Sequence, residues 1–83
     1  MRRSYRVELE TDPLTRQVSA TLPTLNCTSD FGDTAEEALS NLRFLAEGLV
    51  ELLLERGEPV PASETADDGG LLMALHVDEF NDL

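Results

Sequence analysis

Alternation of apolar and polar residues predicts two strands near the start of the chain. From position 4 to position 11, a tyrosine, a valine and a leucine alternate with charged residues, which is the period of a half-buried strand. A second alternating run covers positions 17–22. Between the two runs, Asp12 and Pro13 are residues typical of a turn, because proline fixes its φ and aspartate can bond the backbone ahead of it. The pattern therefore predicts a β-hairpin.

The next part of the chain predicts a short third strand and a long helix. Pro23 cannot donate to a ladder and ends the second strand, and a third strand is predicted over positions 27–31. Thr34 and Glu37 have the spacing of a capping box, in which the glutamate reaches back to the N–H of the cap residue. Apolar residues then recur at intervals of three and four until Gly57, a typical C-terminal cap. These signals predict a helix over positions 34–56.

The last third of the chain predicts an acidic linker and a final strand. Positions 58–70 are polar and acidic, and positions 71–77 alternate in the manner of a strand. Leu72 and Ala74 make the outer face of this strand apolar as well, which favours a buried position or a subunit interface. The predicted fold is a single α+β domain over positions 1–83, with a three-stranded antiparallel sheet, one long helix and a further C-terminal strand (β-β-β-α-β).

The charge balance restricts the classes of partner. The 83 residues include 17 acidic side chains against six arginines and no lysine, and the net charge is −11. Nucleic acid is therefore not expected as a direct partner, whereas a basic protein is. The chain has no apolar run long enough to span a bilayer, and no apolar stretch follows the N-terminal arginines. We expect a cytoplasmic protein without a membrane contact.

The residue types that carry chemistry form no recognisable set. Cys27 has no histidine or lysine close in sequence, so it is interpreted as a small half-buried apolar residue on the third strand. His76 is interpreted as a packing residue or a pH-sensitive contact. Asp67, Asp68 and Asp78 lack the ligand spacing of a calcium loop. We expect no catalytic, cofactor-binding or metal-binding residues.

Two groups of residues are candidates for contacts with other proteins. Glu47, Glu51 and Glu55 recur at intervals of four on the helix; they form either a solvated face or an acidic ridge for a basic partner. The predicted partner-binding residues are this acidic ridge together with Asp78 and Glu79. Apolar residues at the edges of the main helix stripe and on the last strand exceed what one small sheet needs, which predicts a dimer contact. The predicted interface residues are Phe44, Val50, Leu54, Leu72 and Ala74.

Several short motifs together resemble one known family. They are Pro23-x-Leu25-x-Cys27, Gly32-Asp33-Thr34, Glu36-Glu37-Ala38-Leu39 and Gly57-Glu58-Pro59-x-Pro61. Their order is similar to that in the N-terminal domain of HicB-family antitoxins, which also occurs as a short stand-alone module. The resemblance implies the fold given above and assembly as dimers or tetramers. It also implies binding to a HicA-type toxin, a small basic protein that acts on mRNA through a histidine that the antitoxin masks.

The resemblance leaves alternatives open. Full-length members of the family bind their operator through a segment that follows this domain, whereas the chain has no lysine or arginine after Pro61. Operator binding is therefore not expected. The first hypothesis is a HicB-like antitoxin module that masks a basic toxin. The alternative is an orphan homo-oligomeric module that has neither toxin nor catalysis. A metal-dependent nuclease that uses Asp67, Asp68 or Asp78 is the third.

Overall fold

The α+β architecture predicted from the sequence is confirmed. The computed structural model describes residues 2–65 and 68–77. Its elements, in chain order, are β1 (Arg2–Arg6), β2 (Glu8–Thr11), β3 (Val18–Leu22), β4 (Thr28–Gly32), α1 (Ala35–Arg56) and β5 (Leu72–His76). Strands β2, β3 and β4 form a three-stranded antiparallel sheet, and β1 pairs antiparallel with β5.

The single strand predicted over positions 4–11 takes part in two different pairings. Its first half, β1, pairs with β5, so that Tyr5 lies opposite Met73. Its second half, β2, pairs with β3, so that Leu9 lies opposite Ala20. Val7 separates the halves, and its N–H donates to Leu71 O at 3.0 Å, on the side of β5. The chain therefore passes directly from one sheet into the other.

The core lies between the sheets and α1, which packs mainly on β4 and also on β3 and β5. The side chain of Leu9 points to the same side as Ala20 but is 41% exposed, because β2 lies at the margin of this packing. The fully buried large side chains are Tyr5, Leu22, Leu25, Leu42, Leu75 and Val50. Burial of each such side chain stabilises the fold by about 1.5–3 kcal/mol.

The turn before β4 differs from the prediction. Cys27 was expected on a strand, half-buried, but β4 begins at Thr28 and Cys27 is exposed in a turn with a φ of 54°. Leu25 explains the difference, because its side chain is only 1% exposed and draws the turn into the core. The N–H of Thr28 donates to Leu25 O at 3.1 Å, which closes the turn.

Both ends of α1 are capped as the sequence indicates. Thr34 Oγ1 accepts from Glu37 N at 3.1 Å. The Glu37 carboxylate accepts a hydrogen bond from the N–H of Asp33 at 2.7 Å. The sequence predicted the N–H of Thr34, one residue later, as the donor. At the other end Gly57 has a φ of 68°, and its N–H donates to Leu54 O while that of Glu58 donates to Leu53 O. These two bonds form a Schellman motif, which satisfies the last carbonyls of the helix.

One row of helix residues, four positions apart, is buried against the sheet. The row consists of Ala38, Leu42, Ala46 and Val50, all at 0% exposure. The prediction that Val50 lies at an outer edge of the apolar stripe is therefore wrong. Residues four apart form a ridge that is inclined to the helix axis. Because the sheet packs along this ridge, the buried face in the second half of α1 turns towards Val50 and away from Leu45 and Leu52.

The segment predicted as an acidic linker is partly fixed to the open side of β1. We call residues 61–64 the strap. Tyr5 Oη donates to Pro61 O at 2.6 Å, and the N–H of Ser4 donates to Ser63 Oγ at 3.1 Å. The Glu64 carboxylate accepts from Arg6 N at 2.9 Å and from Thr24 Oγ1 at 2.8 Å. The strap therefore satisfies backbone groups of β1 that β5 does not reach.

The cap at Thr34 should contribute measurably to stability. We expect Thr34→Ala to lower the free energy of unfolding by about 1 kcal/mol, because the Glu37 N–H loses its acceptor. Urea denaturation measures this change. Ser40→Ala, an exposed site within the helix, is the matched control and should leave the stability unchanged or slightly raised. Equal effects of the two substitutions would contradict the assigned cap.

Candidate functional site

The helix presents two flanks, one on each side of its buried row. On one side, Asn41 Nδ2 donates to Phe31 O in β4 at 2.8 Å. On the other, a Glu47 carboxylate oxygen accepts from His76 N in β5 at 2.8 Å. Because side chains three or four positions apart share a face of a helix, these two contacts fix the direction of each flank. One flank follows the β4 edge and the other follows the β5 edge.

The acidic ridge predicted from the sequence divides into two parts. Glu47 is half-buried and its carboxylate is bonded to β5, whereas Glu51 and Glu55 are exposed. In the part of the chain that the structure describes, neither Glu51 nor Glu55 has a hydrogen bond or an ion pair. The two remaining residues of the prediction, Asp78 and Glu79, lie outside the described residues. Glu51 and Glu55 are therefore the ridge residues whose charges are available to a partner.

The contact of Glu47 protects an open strand edge. Within the described residues β5 pairs with β1 alone, so its other edge carries backbone groups without a ladder partner. Exposed edges of this kind promote pairing with other chains, and proteins often protect them with charged side chains. Glu47 places a carboxylate on this edge at His76. The sequence pattern could not indicate this role, because Glu47 and His76 are 29 positions apart.

This contact can be measured against a matched site on the same helix. We expect Glu47→Ala to lower the free energy of unfolding by about 1 kcal/mol relative to Glu51→Ala, because only Glu47 accepts a backbone hydrogen bond. Both substitutions remove one negative charge and introduce the same helix-favouring residue. Thermal and urea denaturation of the two variants give the difference. Indistinguishable stabilities would contradict the structural role of Glu47.

Asp68, considered above as a metal ligand, forms an ion pair. Its two carboxylate oxygens accept from Arg6 Nη1 and Nη2 at 3.0 and 2.9 Å. The hydrogen bond from Arg6, helped by the N–H of Gly70, lowers the pKa of Asp68 from 3.8 to about 2. Among residues 2–65 and 68–77, no three His, Cys, Asp or Glu side chains are grouped so as to hold a metal ion. Asp67 and Asp78 lie outside that part of the chain.

The ion pair predicts a specific dependence of stability on pH. Because the folded-state pKa of Asp68 is lowered, the stabilisation is complete above about pH 4 and is lost as the pH falls through about 2. Asp68→Asn should therefore be less stable than the unsubstituted protein at pH 7 and should match it near pH 2. Both groups are exposed, so added salt should reduce the difference at pH 7. Urea titrations at each pH measure it, and a difference independent of pH would contradict the pairing.

The flank of α1 that follows the β4 edge is apolar. We call Phe44, Leu45, Gly48, Leu49 and Leu52 the apolar flank; together they line a shallow groove of about 370 Å³. Phe44 is 84% exposed, Leu45 45% and Leu52 41%. The sequence pattern places Leu45 and Leu52 in the apolar stripe of the helix, and the inclined packing of the helix explains why they are exposed. Leu49 is half-buried and packs against the core.

The predicted interface residues do not form one surface. Phe44 is exposed on the apolar flank, whereas Val50 is buried and Leu54 packs half-buried against the core. Leu72 is exposed and Ala74 half-buried on β5.

His76 and Cys27 are both exposed, and the Cys27 thiol lies 3.7 Å from Pro23 O. Within the described residues, no helix combines the length and hydropathy needed to cross a bilayer.

Comparison with solved structures identifies the class of fold. The crystal structure of the N-terminal domain of the Burkholderia pseudomallei antitoxin HicB matches with a TM-score of 0.70 and 24% sequence identity, over 90% of this chain and 98% of that one. The crystal structure of the Burkholderia pseudomallei antitoxin HicB matches with the same score, identity and share of this chain; here the match spans 63% of that chain. No protein-family model matches, and no curated protein matches by sequence.

The protein therefore has the fold of a HicB N-terminal domain. The resemblance indicated by the short sequence motifs is confirmed at the level of the fold. The chain spans slightly less than two thirds of the length of the complete antitoxin in the second comparison.

Proposed function

We propose that this protein is an antitoxin-type binding module that binds and masks a basic HicA-type toxin acting on mRNA. The observation that carries the proposal is the fold, which matches two structures of an antitoxin over 90% of the chain. The net charge of −11 supports it, because an acidic surface suits a basic partner. The module acts by binding, so it needs no catalytic group of its own. Both proteins would act in the cytoplasm, where mRNA is translated.

We assign the toxin contact to the exposed part of the acidic ridge. Glu51 and Glu55 lie one helix turn apart on a rigid element, and their carboxylates are free to pair with lysine or arginine side chains. The carboxylate of Glu47 already accepts a hydrogen bond from β5, so we give it a supporting role. Asp78 and Glu79 remain predicted members of the same surface. Such a surface accelerates association by electrostatic steering, and salt weakens the effect.

A second candidate function is supported by the apolar flank. A chain that assembles with itself and has no toxin would use this surface for the contact between its copies. The two candidate functions predict different neighbouring genes. A toxin partner requires a reading frame for a small basic protein with a histidine, and the absence of such a frame next to the gene would favour the orphan module.

Charge reversal on the ridge tests the proposed contact. The probe is the small basic protein encoded next to the gene, titrated by calorimetry against the purified module in about 50 mM salt. We expect Glu51→Lys/Glu55→Lys to weaken binding at least roughly tenfold, because two attractive charges become repulsive. Glu8→Lys/Glu10→Lys, on exposed positions of β2, is the matched control: each pair adds four charges, from −11 to −7.

The outcomes separate the surface from the function. A loss of affinity in the ridge variant alone, which becomes smaller at about 500 mM salt, supports both. Equal binding by the ridge variant and the control would show that the contact lies elsewhere. No complex with the unsubstituted module at low salt would contradict the antitoxin function itself.

A further inference from the structure

We propose that a pocket on the face of the β2-β3-β4 sheet that points away from α1 binds an arginine side chain of another protein. This pocket, which we call the sheet pocket, has a volume of about 350 Å³ and is lined by Glu10, Asp12, Ser19 and Phe31, among others. The proposal does not rest on the antitoxin function, because the acidic ridge belongs to α1, which packs on the opposite face of this sheet.

The two faces of the sheet differ in composition. Val18, Ala20 and Leu22 of β3 are buried in the core, so their side chains lie on the face that α1 covers. Because side chains alternate along a strand, the other residues of β3 and the residues paired with them lie on the outer face. The outer face consists of Glu8, Glu10, Ser19, Thr21, Ser29 and Phe31. Phe31 is the large apolar side chain of this face, and it is 54% exposed.

One row of residues across the outer face forms the floor and the walls of the sheet pocket. Ser19 pairs with Glu10 on one side and with Phe31 on the other, so the three side chains stand in a line across the three strands. Neighbouring strands are about 4.8 Å apart, which places the two outer positions about 10 Å from each other. The small side chain of Ser19 leaves the space between them open. A planar guanidinium over Ser19 can therefore contact both the Phe31 ring and the Glu10 carboxylate.

The charge of the sheet pocket comes from Glu10 and Asp12. Among the residues that the structure describes, the Glu10 carboxylate accepts no hydrogen bond and forms no ion pair. Asp12 Oδ1 accepts from the N–H of Leu14 at 2.8 Å, which fixes this second carboxylate in the wall of the pocket. Arg16 follows in the same turn, but within the described part of the chain it forms no ion pair, and it does not line the pocket. The two carboxylates therefore favour a cation that a partner supplies.

An aromatic ring beside two carboxylates suits arginine better than other ligands. A guanidinium can stack on the face of a ring while its N–H groups donate to carboxylates at its edge. An ammonium group is compact and strongly hydrated, so it gains less from the ring. A ligand that carries phosphate would be repelled by both carboxylates, and an apolar side chain would desolvate them without compensation.

The exposure of the sheet pocket favours a protein as the source of the arginine. Glu10, Asp12 and Phe31 are all exposed, so the pocket encloses only part of a bound group. Sites for free small molecules usually enclose most of the ligand surface. An arginine side chain, by contrast, is held in place by the rest of its own protein, and arginine is one of the residues that contribute most to protein interfaces.

NMR titration of the complete, isotope-labelled chain tests the site. The probe is the peptide acetyl-Gly-Arg-Gly-amide, and the backbone amide signals of Ser19 and Phe31 report on the sheet pocket. We expect these signals to shift in a saturable manner at millimolar peptide concentrations. The peptide with citrulline, the neutral analogue of arginine, should bind at least roughly tenfold more weakly, because it has no charge for the ring and the carboxylates. The peptide with lysine should bind roughly threefold more weakly than the arginine peptide.

Substitutions on the outer face separate the sheet pocket from general electrostatic attraction. Glu10→Gln should weaken binding of the arginine peptide at least roughly fivefold, because the guanidinium loses a charged acceptor. Glu8→Gln is the matched control: it lies on the same strand and face but outside the pocket, and it makes the same change in net charge. We expect it to weaken binding by less than about twofold. Phe31→Leu keeps an apolar side chain but removes the ring, and should weaken binding at least roughly threefold.

Four results would overturn the proposal. They are the absence of saturable shifts up to about 20 mM arginine peptide, equal binding of the arginine and citrulline peptides, lysine binding as tight as arginine binding, and equal effects of Glu8→Gln and Glu10→Gln. All three substituted positions are exposed, so the amide spectrum of each variant should show an intact fold.

Discussion

The packing of one inclined row of α1 side chains on the two sheets determines most of what this molecule presents to solvent. Ala38, Leu42, Ala46 and Val50 are completely buried, and small residues alternate with larger ones along the row. Small residues let the helix approach the sheet closely, while the larger ones fill the core to which Leu22 and Leu75 also belong. Once this row is fixed, every other helix residue has a defined direction. The acidic ridge and the apolar flank both follow from that single choice.

The small size of the chain makes the secondary contacts important. Eighty-three residues bury a limited core, so each unsatisfied backbone group is a large fraction of the net stability. Two devices compensate. The strap supplies Ser63 and Glu64 to one side of β1, and Glu47 supplies a carboxylate to the open edge of β5. The Tyr5 hydroxyl, bonded to Pro61 O, ties the strap to the core.

The exposed charges of the acidic ridge border the apolar flank, because Glu51 lies three positions after Gly48 and Glu55 three positions after Leu52 on the same helix. Unpaired carboxylates of this kind favour contact with basic side chains. Glu47 is not free to contribute in the same way, because strand β5 occupies its carboxylate.

The sequence by itself determined the local structure: the hairpin, both helix caps and the final strand follow from turn residues, the capping box and short-range periodicity. It also indicated the HicB-like fold through its motifs. Tertiary structure alone decided which row of apolar helix residues is buried. The sequence pattern allows a row of residues three positions apart as well as a row four positions apart, and only packing on the sheets determines which of the two rows is buried. The burial of Val50, the exposure of Leu45 and Leu52, the turn at Cys27 and the bond from His76 to Glu47 all depend on contacts between residues distant in sequence. No pattern of neighbouring residues records such contacts.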